Sequence, residues 1–105
     1  MALNPKPLAN GQLSNVADSV LFTAVVTTIV KMTSYVNTNA SPVLVNFGVN
    51  ITGTTRLRIP KDMALGSHGL MEYDNVMTLE AGDSIRGWAN VNNVVDFVID
   101  AAVRP

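Results

Sequence analysis

Apolar residues recur at every second position through most of this chain of 105 residues. That is the period of strands half-buried against a core. The cleanest run is Val43, Val45, Phe47, Val49 and Ile51, with Leu44, Asn46, Gly48 and Asn50 opposite. Thr52-Gly53-Thr54 turns, and Thr55, Leu57 and Ile59 resume on one face with Arg56 and Arg58 on the other. Pro60, which lacks a backbone N–H, stops that strand. Upstream, residues 19–24 predict a short strand and residues 25–37 a long β-branched one. In the long strand Val26, Thr28, Val30, Met32, Ser34 and Val36 share one face, and Thr27, Ile29, Lys31, Thr33 and Tyr35 the other. Residues 61–69 are the least regular part, and residues 70–73 and 76–80 give two further short strands.

The stretch from Leu79 to Asp100 reads as turn, strand, turn, strand. Gly82-Asp83 is turn chemistry, because Gly reaches positive φ and Asp bonds its own backbone. A hairpin with a three-residue loop, Asn92-Asn93-Val94, pairs Val91 with Val95, Ala89 with Phe97, Gly87 with Ile99 and Ile85 with Ala101. All its apolar residues then share one face. The other face pairs Arg86 with Asp100 and Trp88 with Val98, so Trp88 points away from the core. The total is seven or eight antiparallel strands without a helix, which predicts an all-β domain, a β-sandwich or jelly roll. Its expected core is Val43, Val45, Phe47, Val49, Ile51, Leu57, Ile59, Leu79, Ile85, Val95, Phe97 and Ile99.

Residues 1–16 have no periodicity. Pro5 and Pro7 fix extended backbone and Asn10-Gly11 marks a turn. They read as an extended N-terminal arm ahead of a single β-sandwich domain over residues 17–105. Such an arm either lacks structure or docks on a neighbouring subunit through Leu3, Leu8 and Leu13.

Composition narrows the function classes. The length suits one domain able to bury a core without staples. There is no Cys, so a disulfide scaffold is excluded and folding in a reducing cytosol is expected. A net charge of −1 gives no basic field for nucleic acid or anionic lipid. No basic region followed by an apolar run opens the sequence, and no apolar run is long enough for a membrane span, so neither a signal peptide nor a membrane partner is expected. A charged fraction of 14% with eleven Asn suits a protein that lives inside an assembly.

Candidate chemistry is sparse. His68 is the only His; with no Cys a Cys–His pair is impossible, and one His falls short of a zinc ligand set. Asp96 and Asp100 stand ~13 Å apart on one strand face at ~3.3 Å per residue, too far for a glycosidase pair, which needs roughly 5 to 10 Å. Asp83 reads as a turn residue rather than a calcium ligand. No catalytic, cofactor-binding or metal-binding residue is expected. Arg56 and Arg58 either face an acidic partner or blunt a strand edge. An outward Trp88 anchors a protein interface, lies under the chain's own loops, or stacks on a sugar.

Several segments together resemble a family of small β-sandwich structural proteins of tailed bacteriophages. They are Leu8-Ala-Asn-Gly-Gln-Leu13, Val20-Leu-Phe-Thr-Ala24, Val30-Lys31 ahead of Asn37-Thr38, and Leu79-Glu-Ala-Gly-Asp-Ser-Ile85 followed by Trp88-Ala89. The order and spacing cover nearly the whole chain. Where the family has a proline-glycine turn after its first strand, this chain has Val25-Val26-Thr27. The resemblance implies a non-enzymatic virion component folded in the host cytoplasm: a capsid cement or decoration protein on the capsid surface. Its implied partners are the major capsid protein or other virion proteins, and it would act as a homo-oligomer, dimer or trimer. A head–tail or tail accessory role is the alternative, and a carbohydrate-binding module a further one. The expected interface residues are Leu3, Leu8, Leu13, Arg56, Arg58 and Trp88.

Overall fold

The computed structural model describes the backbone of residues 4–103 and the side-chain environments of residues 9–102. These residues form ten strands and no helix. The strands are β1 (Asn4–Gln12), β2 (Val20–Thr23), β3 (Thr28–Asn37), β4 (Val43–Ile51), β5 (Thr54–Leu57), β6 (Met63–Leu65), β7 (Leu70–Tyr73), β8 (Met77–Leu79), β9 (Ser84–Ala89) and β10 (Val95–Val103). They build two antiparallel five-stranded sheets. The first has the order β1-β10-β3, with β7 and β8 one after the other along the far side of β3. The second has the order β2-β9-β4, with β5 and β6 along the far side of β4. The sheets enclose one apolar core in a β-sandwich-like arrangement. The two strands beyond the expected seven or eight are β1, in the aperiodic segment, and β6, too short to show a period.

The pairing is nested. β1 pairs with β10, β2 with β9, β3 with β7 and β8, and β4 with β5 and β6. The innermost turn is the β4–β5 hairpin, closed through Thr52 and Gly53 at φ 54° and 89°. Two consecutive positive φ values give the twist that a two-residue hairpin needs.

The expected β9–β10 hairpin is corrected. The two strands lie in different sheets, joined by an arch rather than a hairpin turn. Ile85 faces Val49, Gly87 faces Phe47 and Ala89 faces Val45 across β9–β4, while Phe97 faces Tyr35 and Ile99 faces Thr33 across β10–β3. Alternation puts the apolar residues of both strands toward one core whether they are neighbours in a sheet or opposed across it, so parity alone does not separate the two. The arch is held by Asn93 N–H donating to the Leu13 carbonyl (3.0 Å) and Thr38 N–H donating to the Val94 carbonyl (2.8 Å). Asn93 sits at φ 60°, a conformation Asn tolerates better than most residues.

The faces of β3 also differ from simple alternation. Val30 pairs with Ala101 and Met32 with Asp100, leaving Lys31 as an extra residue. This β-bulge inverts the phase. Thr28 and Val30 point inward before it, and Thr33, Tyr35 and Asn37 after it. The core therefore holds Tyr35, stacked at 5.6 Å on Phe47, which in turn meets Tyr73 edge-on at 5.3 Å. Leu13, Val30, Leu65 and Met77 join it unforeseen, whereas Ile51 and Leu57 are exposed and Ile59 is half-buried at the rim.

Residues 4–12, expected as an arm reaching a neighbour, run as an edge strand on β10 of the same chain, with a register shift between Pro7 and Ala9. Leu13, fully buried, anchors the end of that strand.

Candidate functional site

The outer face of the second sheet gathers apolar side chains where solvent reaches them. In an antiparallel pair, residues directly opposite share a face. Phe47 and Val49 point inward, so Gly48 points out, and with it Leu57 on β5, Arg86 on β9 and Val20 on β2 form one row across the sheet. The next row holds Asn46 and Trp88. Leu44 lies one step further along β4, its N–H held by the Asn90 side chain at 2.8 Å. Trp88 is half-buried, while Val20 is 54% exposed, Leu57 39% and Leu44 37%.

The polar groups on this face are satisfied within it. Arg86 pairs with Asp18 at 3.2 Å, donates to the Asp18 carbonyl at 3.1 Å and to the Ser84 hydroxyl at 2.8 Å. Thr55 donates to Asp18 at 2.6 Å and accepts from Asn50 at 2.9 Å. Asn46 exchanges two hydrogen bonds with Asp62, each 2.9 Å. This network fixes the segments around Asp18 and Asp62, both at positive φ, against the sheet. Since Asp18 is about half exposed, the ion pair itself contributes only ~0–1 kcal/mol; what it does is remove free charge from the face. The outer face of the first sheet is mixed. It exposes Leu70, Val36 and Val98, and beside them carries Glu72, Asp96 and Asp100, none of these three carboxylates in an ion pair among the described residues.

A second feature lies at the edge of the sandwich. Between β4 on one sheet and β8 on the other opens a cleft of about 230 Å³, walled by Val49, Ile51, Val76, Met77 and Leu79, with Arg58, the residue after β5, also lining it. Arg58 is not free to swing. Its Nε donates to the Tyr73 hydroxyl at 3.0 Å and its guanidinium lies 5.6 Å over the Tyr73 ring.

Those of the expected interface residues that are described do not come together. Leu3 lies outside the described residues, as does the side chain of Leu8, whose backbone belongs to β1. Leu13 is core, which removes it as a contact for a partner. Arg56 lies opposite Val49 and so belongs to the inner side of the β5 edge, with Arg58 following it, while Trp88 stands on the outer face of the sheet. The expected pairing of Arg86 with Asp100 is replaced by Arg86 with Asp18, because β9 and β10 are in different sheets. Val20, Leu44 and Leu57 were not legible as neighbours of Trp88, since their proximity depends on the strand order β2-β9-β4-β5. His68 occupies a turn at φ 52°. Asp83 caps its own turn, accepting from Glu80 N–H at 3.0 Å. Among the described residues no three His, Cys, Asp or Glu are grouped to hold a metal ion.

Comparison with known proteins gives no family assignment: no protein-family model, no curated protein and no solved structure matches this chain.

Proposed function

We propose that this protein is a non-enzymatic structural component of a tailed-bacteriophage virion, a cement or decoration protein that binds the head lattice as a homo-oligomer. The observation that carries the reading is the outer face of the second sheet, where Trp88, Leu44, Leu57 and Val20 stand among polar groups already engaged with one another. Interface centres are depleted in charge and enriched in aromatic residues, and Trp is foremost among the anchors of binding energy. The nested pairing of first strand with last, second with ninth and so inward supports reading the fold as a jelly roll. The segment resemblance from Leu8 to Ala89 supplies the virion context. On this reading the protein folds in the host cytoplasm and its partner is the major capsid protein. A head–tail or tail accessory position uses the same surface on a different virion protein.

The test is sedimentation of the purified chain with heads that lack it, prepared from the phage that carries its gene. The wild-type chain is expected to travel with the heads. Trp88→Ala is expected to melt within a few degrees of wild type, since only partly buried surface is lost, and to stay in the supernatant. A folded wild-type chain that never sediments with heads removes the cement reading. Retention of Trp88→Ala on the heads removes this face as the contact.

A further inference from the structure

We propose that the β5 edge and the adjoining cleft form a docking groove for an extended acidic peptide segment of a partner protein. Among the described residues β5 pairs only with β4 and β8 only with β3, so both present an open strand edge on the side where the sheets part. An edge of this kind accepts an added strand through main-chain hydrogen bonds. Beside that edge the cleft is lined by Val49 and Ile51 of β4, Met77 and Leu79 of β8, and Arg58 just past β5. At about 230 Å³ it falls below the roughly 300–1,000 Å³ of pockets that enclose drug-sized ligands; it has room for an aliphatic side chain or two. Ile51 and Val76 extend its apolar wall into solvent, at 43% and 64% exposure.

Charge decides which strand fits. Arg56, Arg58 and Lys61 sit within six residues, and none has a carboxylate partner among the described residues. Arg56 faces the inner side of the edge, opposite Val49. A neutral or basic strand added there would bury that cation unpaired, which is how inward charges protect sheet edges from promiscuous pairing. A strand bringing carboxylates meets the guanidinium groups instead. Arg58 is already oriented by Tyr73, while its terminal nitrogens have no acceptor among the described residues, so little side-chain entropy remains to be lost on binding. The selectivity thus comes from repulsion as much as from attraction. The groove adjoins the Trp88 face at Leu57 on β5, and the two readings are told apart by Trp88→Ala, which alters the face bound to phage heads but no residue of the groove.

A labelled synthetic peptide alternating valine and glutamate, titrated into the full chain and followed by fluorescence anisotropy, tests this. Binding is expected at low salt, with loss at high salt, and no binding of a valine–lysine peptide. The double variant Arg56→Glu/Arg58→Glu, folded by circular dichroism because both side chains are exposed, should bind the acidic peptide roughly tenfold or more weakly. On titration of the wild-type chain, the amide signals of Thr54–Leu57 and Met77–Leu79 should shift. The proposal is overturned if the acidic peptide does not bind, if the charge-reversed chain binds it equally, or if the shifts map to another surface. Octanoate that shifts Met77 and Leu79 as strongly, without moving β5, would overturn it in favour of a small carboxylate.

Discussion

The hydroxyls of Thr33 and Tyr35 are buried on the inner side of β3; neither makes a hydrogen bond of good geometry among the described residues, and a weak contact with Thr33 only partly offsets the burial of the Tyr35 phenol. An unpartnered buried hydroxyl costs about 1–3 kcal/mol, while the Tyr35 ring keeps its contact with Phe47. Tyr35→Phe retains the ring and deletes the hydroxyl, so urea melts should show stability unchanged or raised by about 1 kcal/mol; a loss larger than that would reveal a partner for the hydroxyl. Burial also pushes the Tyr35 phenol well above its ordinary value. The folded-state value is the higher one. Its contribution is therefore intact below pH of about 10, the ordinary phenol value, and lost as pH rises beyond it, where the unfolded chain ionises and the folded chain does not. Wild type should lose stability faster than Tyr35→Phe as pH is raised through that range; parallel curves would show the phenol is reached by solvent. Neither this residue nor Asn37, whose Nδ2 lies 3.0–3.1 Å from the carbonyls of Ser41, Leu65 and Gly66, was legible as core. Lys31 gives no sign in the sequence that it will be skipped, and one skipped residue reverses every face that follows.

Strands were more legible than their partners. The run from Val43 to Val49 is inward-facing throughout as its alternation requires, and Gly53 marks the hairpin that follows. The sheet to which each strand belongs is set by the connections, and an arch such as 90–94 has the same Asn-rich composition as a hairpin loop. Close approach is likewise invisible in a one-dimensional pattern. A Cβ on Gly48 would lie 2.4 Å from the Arg56 carbonyl oxygen, so β4 and β5 pack backbone to backbone at this position. Gly48→Ala should force the two strands apart at a cost of about 1–3 kcal/mol. Thermal melts measure the loss, and the Arg56 and Leu57 amides should report it locally by faster hydrogen exchange. A variant as stable as wild type, with unchanged exchange, would show that the β4–β5 contact yields without cost.

Over the whole molecule, strand β1 covers one edge of β10 from Asn4 to Gln12, and Leu13 seals the end of it. Removing residues 1–12 is expected to lower the melting temperature by well over 5 °C, since a domain of this size shifts roughly 4–8 °C per kcal/mol, and to expose the β10 edge to association. A truncated chain that melts with wild type and stays at the same sedimentation coefficient would return these residues to the status of a dispensable arm. The same nesting sets an order in time. The β4–β5 hairpin closes through two neighbouring residues, but the partner of β1 is made last of the ten strands. At about 5–20 residues per second, a ribosome delivers β10 roughly 5 to 20 s after β1 has left it. Through that interval chaperones, proteases and other nascent copies all meet β1 as a bare strand, and the domain can close only after its final strand has cleared the exit tunnel.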